Sequence, residues 1–174
     1  LKKNKGNLKG FVSYTLSKTE VDIKGVNDNK QFPASHDRRH NLSIVGTYVV
    51  NDKWTLGSNF VYNTGRAFTL PVGKYEMDGY NLDYYTGRNQ YRLPDYHRLD
   101  FSATLTSRKN KGRKWKSSWT FAVYNAYNRK NPFTIYTRTK QDKDGNIIGD
   151  GTEKEARLIY LFPVLPSITY NIKF

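Results

Sequence analysis

Residues 36–40 read His36-Asp37-Arg38-Arg39-His40, which places two imidazoles and a carboxylate within five positions. Neutral imidazole and carboxylate are transition-metal ligands. On an extended chain, however, successive side chains point to opposite faces. His36 and His40 then share a face with the Arg38 cation between them, and Asp37 is expected to pair with a neighbouring arginine at a strand entrance. We read the segment as structural. Asp142-Lys143-Asp144-Gly145-Asn146 offers the oxygen ligands of a calcium loop. An EF-hand needs Gly at its sixth position, and counting from Asp142 places Ile147 there. A hairpin turn is the better reading, so no metal and no cofactor are expected. Gly-x-Ser-x-Gly and His-Glu-x-x-His are both missing, so neither a nucleophile elbow nor a zinc-protease helix is encoded. The chain is not expected to be an enzyme.

Recognition chemistry is better represented. Between Arg66 and Tyr96 the chain carries Tyr75, Tyr80, Tyr84, Tyr85 and Tyr91 with Arg88 and Arg92. Tyrosine and arginine dominate binding hot spots. Tyr80, Tyr84, Tyr85, Arg88, Tyr91 and Arg92 are therefore the residues expected to contact a substrate or partner. The net charge of +14 raises the question of nucleic acid. The charge sits mainly in two clusters, Lys2, Lys3, Lys5 and Lys9, then Arg108, Lys109, Lys111, Arg113, Lys114 and Lys116. Neither interleaves stacking aromatics on a common face. They read as solvated turns, and no nucleic-acid partner is expected.

The elements that must position these residues have a period of two. From Arg98 to Thr106, Leu99, Phe101, Ala103 and Leu105 alternate with Asp100, Ser102 and Thr104, the mark of a strand with unlike faces. Five further stretches behave alike: Lys9–Ser17, Asn41–Val50, Trp54–Asn63, Ser118–Tyr127 and Ile168–Phe174. The strands run to roughly ten residues, the length needed to cross a bilayer at a tilt, whereas soluble strands average about five or six. Asn51-Asp52-Lys53 and Asn110-Lys111-Gly112 mark tight turns. The other connections are long: about 20–39, 66–96 and 129–165. The last of these carries its own hairpin, Phe133–Thr139 with Ala156–Phe162, turned at Asp144-Gly145 and Gly149-Asp150-Gly151 and expected to project beyond the membrane. Short turns on one side and long loops on the other are the habit of outer-membrane barrels.

Mean hydropathy is low at −0.79, as alternation makes it in a membrane barrel. Cysteine is absent and aromatics make up 15%. The polar faces carry Ser, Thr, Asn and Gly rather than dense charge, which suits a wet lumen. Trp54, Trp115, Trp119, Tyr48, Tyr62, Tyr127 and Phe174 are placed to form interfacial girdles. The expected fold is all-β: an antiparallel transmembrane β-barrel segment of about six spanning strands. Six strands cannot close a membrane barrel, and the chain opens without Met or signal peptide. Residues 1–174 are therefore expected to be the C-terminal part of a larger barrel domain, in contact with outer-membrane lipid.

Three stretches carry a resemblance to a known family. They are Phe32-Pro33-Ala34-Ser35-His36-Asp37-Arg38-Arg39-His40-Asn41-Leu42, Tyr124-Asn125-Ala126-Tyr127-Asn128-Arg129-Lys130-Asn131-Pro132-Phe133, and the terminal Leu161-Phe162-Pro163-Val164-Leu165-Pro166-Ser167-Ile168-Thr169-Tyr170-Asn171-Ile172-Lys173-Phe174. Together with the strand order they resemble the C-terminal region of TonB-dependent outer-membrane receptors, especially those of Bacteroidota. The resemblance implies a 22-stranded barrel around an N-terminal plug, in the bacterial outer membrane. It implies import of a scarce nutrient (siderophore, cobalamin, peptide or glycan) with energy from the TonB complex. It also implies that Tyr170, Ile172 and Phe174 form the signal read by the barrel-assembly machinery. The plug, the remaining strands and the TonB-coupling motif are not in this sequence. Glycan importers with lipoprotein lids tend to end differently. The alternatives are a passive porin or adhesin barrel and, in a different class, a soluble β-barrel binding domain with its apolar face inward.

Overall fold

The computed structural model describes residues 1–107, 114–149, 151 and 153–174. In chain order the strands are β1 (Lys2–Lys3), β2 (Leu8–Leu16), β3 (Glu20–Val21), β4 (Phe32–Pro33), β5 (His40–Val49), β6 (Trp54–Asn63), β7 (Ala67–Phe68) and β8 (Gly73–Met77). They continue with β9 (Tyr80–Tyr84), β10 (Tyr91–Arg92), β11 (Tyr96–Thr106), β12 (Lys116–Tyr124), β13 (Pro132–Thr139), β14 (Lys154–Tyr160) and β15 (Leu165–Lys173). Among the described residues the helical content is one short 3-10 turn, Asn27–Asn29. None is a helix long and apolar enough to cross a membrane.

One antiparallel sheet of seven strands, ordered β1-β2-β5-β6-β11-β12-β15, forms the body. Its register keeps like with like. Val12 faces Ile44, Ile44 faces Phe60 and Phe60 faces Leu99; Ala103 faces Phe121 and Phe121 faces Ile168. Because side chains alternate along every strand, this pairing gathers the apolar residues of six strands onto one face. The opposite face carries Ser13, Ser43, Asn59, Asp100, Ser102, Thr104, Thr120 and Thr169, interrupted by Phe11, Val45 and Val61. Thr104 and Thr120 join across the ladder with hydroxyl oxygens 3.1 Å apart.

Among the described residues nothing covers the apolar face. Phe101, near its middle, is 50% exposed, and Leu56, Phe121, Trp119 and Ile168 are exposed as well. Among the described residues the buried hydrophobics are Phe32, Ala34, Ala67 and Leu93, all in connections at one end of the sheet. At the opposite end lie the β1–β2 turn, the Asn51-Asp52-Lys53 turn and the last residues of β15. There the Asn51 Oδ1 accepts the Lys53 and Trp54 amides at 2.9 and 3.0 Å, an Asx turn as expected. The expected turn at residues 110–112, most of the second basic cluster and the Asp150 position lie outside the described residues.

The sheet is open: among the described residues β1 and β15 each have a neighbour on one side only. Two expectations need correcting. Lys2 and Lys3 form a short strand paired with Phe11 and Gly10 rather than a turn. The strand expected to reach Tyr127 stops at Tyr124, because Asn125 and Asn128 take left-handed backbone angles, φ 54° and 53°. The long loops are not structureless. Two-residue ladders β3–β4 and β7–β10 close the necks of the first two, and β8–β9 forms a hairpin in the second. That hairpin turns on Asp78-Gly79, φ 51° and 80°, a pair suited to a two-residue turn. The hairpin expected in the third loop is β13–β14, within two residues of its expected bounds.

Gly65 marks how closely these necks are packed. A Cβ there would lie 1.6 Å from the Leu93 carbonyl oxygen, while the Leu93 amide donates to Arg66 O at 3.0 Å. Overpacking of this kind costs about 1–3 kcal/mol. Gly65→Ala should therefore speed exchange of the Leu93 amide roughly tenfold to a hundredfold and leave mid-strand amides such as Ser102 protected. Hydrogen exchange read residue by residue checks both.

Candidate functional site

The polar residues that organise the loop end sit where the ladders finish. Asp37, between β4 and β5, is 1% exposed. Its carboxylate accepts the Thr19 amide at 2.7 Å and the Arg39 Nε at 3.4 Å, and it is clamped by an Nη2 of Arg92, 55 positions away. The other terminal nitrogen of Arg92 donates to Asp37 O at 3.1 Å and Gly65 O at 3.0 Å. One guanidinium thus ties the necks of the first two loops together. Burial raises the Asp37 carboxyl, but Arg92, the Thr19 amide and Arg39 outweigh it and hold the group below the ordinary aspartate value. The sequence expectation of a neighbouring arginine is met by Arg39; the closer partner, Arg92, is distant in sequence.

A second knot follows β12. Asn125 is fully buried. Its amide N–H donates to Asp100 Oδ1 at 2.9 Å, its Nδ2 to Arg129 O at 2.9 Å and Phe162 O at 3.3 Å, and its Oδ1 accepts the Arg129 amide at 3.0 Å. Phe162 stands at φ 56°, an angle that costs a bulky residue on the order of 1–2 kcal/mol and that the bond from buried Asn125 helps to hold. Asn131 extends the ladder with its side chain: Oδ1 accepts the His97 amide at 3.1 Å and Nδ2 donates to His97 O at 2.9 Å. Asn128 Oδ1 accepts the Val164 amide at 3.2 Å. The Tyr124–Phe133 motif is therefore a set of asparagine clamps. Its signal in the sequence was asparagine, tolerant of left-handed angles, just past a strand.

Asp95 completes the rim. It accepts the Tyr62 hydroxyl at 2.6 Å and the Gly65 amide at 3.0 Å. The Tyr62 hydroxyl, then the Gly65 amide, hold its carboxyl below the ordinary value against the opposing effect of burial. Lower on the polar face, Arg98 Nη1 donates to Tyr96 and Tyr124 hydroxyls at 2.9 and 2.5 Å, and its Nε lies 3.0 Å from the Asp100 carboxylate.

The six residues expected to touch a substrate or partner do not form one surface. Tyr80 and Tyr84 lie on one face of the β8–β9 hairpin with Tyr75, Met77 and Leu82, opposite Lys74, Glu76, Asn81 and Asp83. Tyr80 is 72% exposed, and Tyr84 meets Tyr75 edge-on at 6.4 Å. Tyr85 is exposed beside this ribbon. Arg88 donates its backbone amide to Asn27 Oδ1 at 3.0 Å. Tyr91 packs on Phe68 in the β7–β10 neck, and the Arg92 guanidinium is committed to Asp37. The expected assembly-signal residues lie on the edge strand and past it: Tyr170 packs on Trp119 at 4.7 Å, Ile172 is exposed, and Phe174 follows β15 almost wholly exposed.

Of the residues expected to be structural, His40 places its Nδ1 2.8 Å from the Tyr14 hydroxyl. Asp142 Oδ1 accepts the Asp144 and Asn146 amides at 2.9 and 2.8 Å, a turn as read. Among the described residues no group of three His, Cys, Asp or Glu side chains is placed to hold a metal. Sequence reasoning missed one cavity of about 400 Å³ at the rim, lined by Arg38, Arg66, Thr64, Tyr96 and Phe133 among others. No family, curated protein or solved structure matches the chain.

A group whose carboxyl is depressed on folding contributes stability above its unfolded value, near pH 4, and loses it as pH falls through the folded value. Acidification below pH 4 should therefore release the two necks before the main ladder. Asp37→Asn should do so at neutral pH at a cost of about 3 kcal/mol, the lower end for breaking a buried pair. Faster exchange of the Thr19 amide, with β5–β6 amides unaffected, is the expected reading in both cases.

Proposed function

We propose that these residues are the C-terminal wall of an outer-membrane β-barrel, that of a TonB-dependent receptor importing a scarce nutrient. The observation that carries the reading is the register-aligned apolar face, continuous over six long strands and uncovered by any described residue. A soluble sheet of this size buries such a face against a second layer. Here the few buried hydrophobics lie in the loops instead. Lipid is the solvent that such a face suits, with the hydroxyl- and amide-lined face toward a wet lumen.

The order of side chains along the apolar face supports the same reading. Leu105, Trp54, Trp119 and Tyr170 lie in register at the short-turn end. His97, Tyr62, Leu42 and Tyr14 lie in register at the loop end, with the Tyr127 hydroxyl 2.7 Å from His97 Nδ1. Leu56, Phe60, Phe101, Phe121 and Ile44 fill the interval. From Leu105 to His97 is eight residues, about 27 Å along a strand. At the usual tilt of 35–45° that is about 20 Å across the membrane, close to the roughly 25 Å apolar band of such barrels. Amphipathic rings at both margins and apolar side chains between them are the pattern of interfacial girdles.

The open edges set the scale. An unpaired strand edge in lipid costs several kcal/mol per backbone group, and the smallest bacterial barrels have eight strands. In this reading further strands outside these residues close the barrel. The receptor assignment, and with it the partners (plug, TonB complex and barrel-assembly machinery), rests on the three resembling stretches. The porin or adhesin reading shares the wall and differs upstream.

Reconstitution into vesicles with brominated acyl chains tests the wall. Trp54 and Trp119 fluorescence should be quenched and the chain should stay with the lipid on flotation. A chain that remains in the aqueous phase without detergent sinks the membrane reading. An upstream plug with a TonB-coupling motif in the full gene product would separate receptor from porin.

A further inference from the structure

We propose that the rim cavity between Arg38 and Arg66 is a binding site for a solute bearing a carboxylate or phosphate group. As the place where such a solute is first held on its way into the lumen, it rests on the import reading above; as a site, it stands on its own geometry. The cavity is about 400 Å³, at the small end of the range for ligand sites. It draws on four segments of the chain: Arg38 precedes β5, Thr64 and Arg66 follow β6, Tyr96 opens β11 and Phe133 lies in β13.

Its charge is uncompensated. Among the described residues neither Arg38 nor Arg66 forms an ion pair with a carboxylate. The neighbouring acids are engaged elsewhere: Asp37 by Arg92 and Arg39, Asp100 by Arg98, and Asp95 by the Tyr62 hydroxyl and the Gly65 amide. Arg66 makes one hydrogen bond, from Nη2 to Phe133 O at 3.3 Å. In the orientation of the Asn63 amide that satisfies its neighbours, Asn63 Oδ1 accepts from Arg38 Nη1 at 3.3 Å. Both contacts hold a guanidinium in place through neutral oxygens and leave its charge and other donors free. Planar guanidinium forks bind carboxylate and phosphate in bidentate fashion. The Thr64 Oγ1 accepts the His40 amide at 3.1 Å, so its own proton is available to the same ligand.

Location selects a free solute over a lipid headgroup. Asn63 and Tyr96 lie in register on the polar face of the sheet, with Asn41, on the side away from the apolar belt. A headgroup anchored in lipid would approach the other face.

Calorimetric titration of the full chain in detergent micelles at low salt, with citrate, inorganic phosphate and glucose as probes, tests the site. Citrate or phosphate should bind, with the stronger of the two reporting which oxyanion is preferred, and glucose should not. Arg38→Gln and Arg66→Gln should each weaken binding at least tenfold, and Arg66→Lys less. Because Arg66 also bonds the β13 backbone, the Nε–H resonances of Arg38 and Arg66 in the unaltered chain provide a second readout and should shift with citrate. Absence of oxyanion binding, equal binding by the double Gln variant, or shifts confined to other arginines would overturn the proposal. Citrate binding by a chain that fails the vesicle test would retain the site and discard import. Lipid insertion without oxyanion binding would do the reverse.

Discussion

The structure depends on the register of the antiparallel ladder. Side chains alternate with a period of two, so a slip of one residue on any strand would send its apolar set to the polar face. From β2 to β15 the pairs instead run Val12 with Ile44, Ile44 with Phe60, Phe60 with Leu99, Phe101 with Val123 and Phe121 with Ile168. Between the edge strands the backbone satisfies its own hydrogen bonds within the sheet, and the side chains divide into an apolar and a polar face. The sheet has no hydrophobic interior, because each of its faces is a surface.

Where the ladders end, buried polar groups take over the work that a hydrophobic core does elsewhere. Asp37 and Asn125 are the largest fully buried side chains among the described residues. Asp37 joins the first two loops through Thr19 and Arg92, and the Asn125 side chain joins the start and the end of the third through Arg129 and Phe162. Buried polar groups are costly unless satisfied, and here satisfaction and loop placement are the same set of bonds. Surface ion pairs on the β13–β14 hairpin, Arg138 and Arg157 with Glu155 at 2.8 Å and Lys140 with Glu153 at 2.7 Å, contribute little by comparison because solvent screens them.

That division of charge shapes the rim. Arg92 is held by Asp37 and Arg98 by Asp100, whereas Arg38 and Arg66, with no such acid, line one cavity on the polar side. A guanidinium clamped by a buried acid is structure; one braced by backbone and amide oxygens still carries its charge to a ligand. The Tyr80–Tyr84 ribbon stands apart from this cavity as a second exposed surface, aromatic where the cavity is cationic.

Much of the sheet was legible in the sequence, because alternation is a local property: β5, β6 and β11 were placed to within two residues, and the Asn51 turn and the β13–β14 hairpin carried their usual signals. The β8–β9 hairpin has a local signal too, in Asp78-Gly79 between Met77 and Tyr80. What the sequence could not determine is which arginine meets which acid. Arg92 and Arg38 look alike along the chain, and only folding brings Arg92 across 55 positions onto Asp37 while leaving Arg38 beside Arg66. Periodicity is written in neighbours, and so the sequence by itself determined the strands and their two faces. The loop collar, the buried clamps and the cationic cavity come from contacts between residues far apart in sequence, and only the tertiary structure decided those.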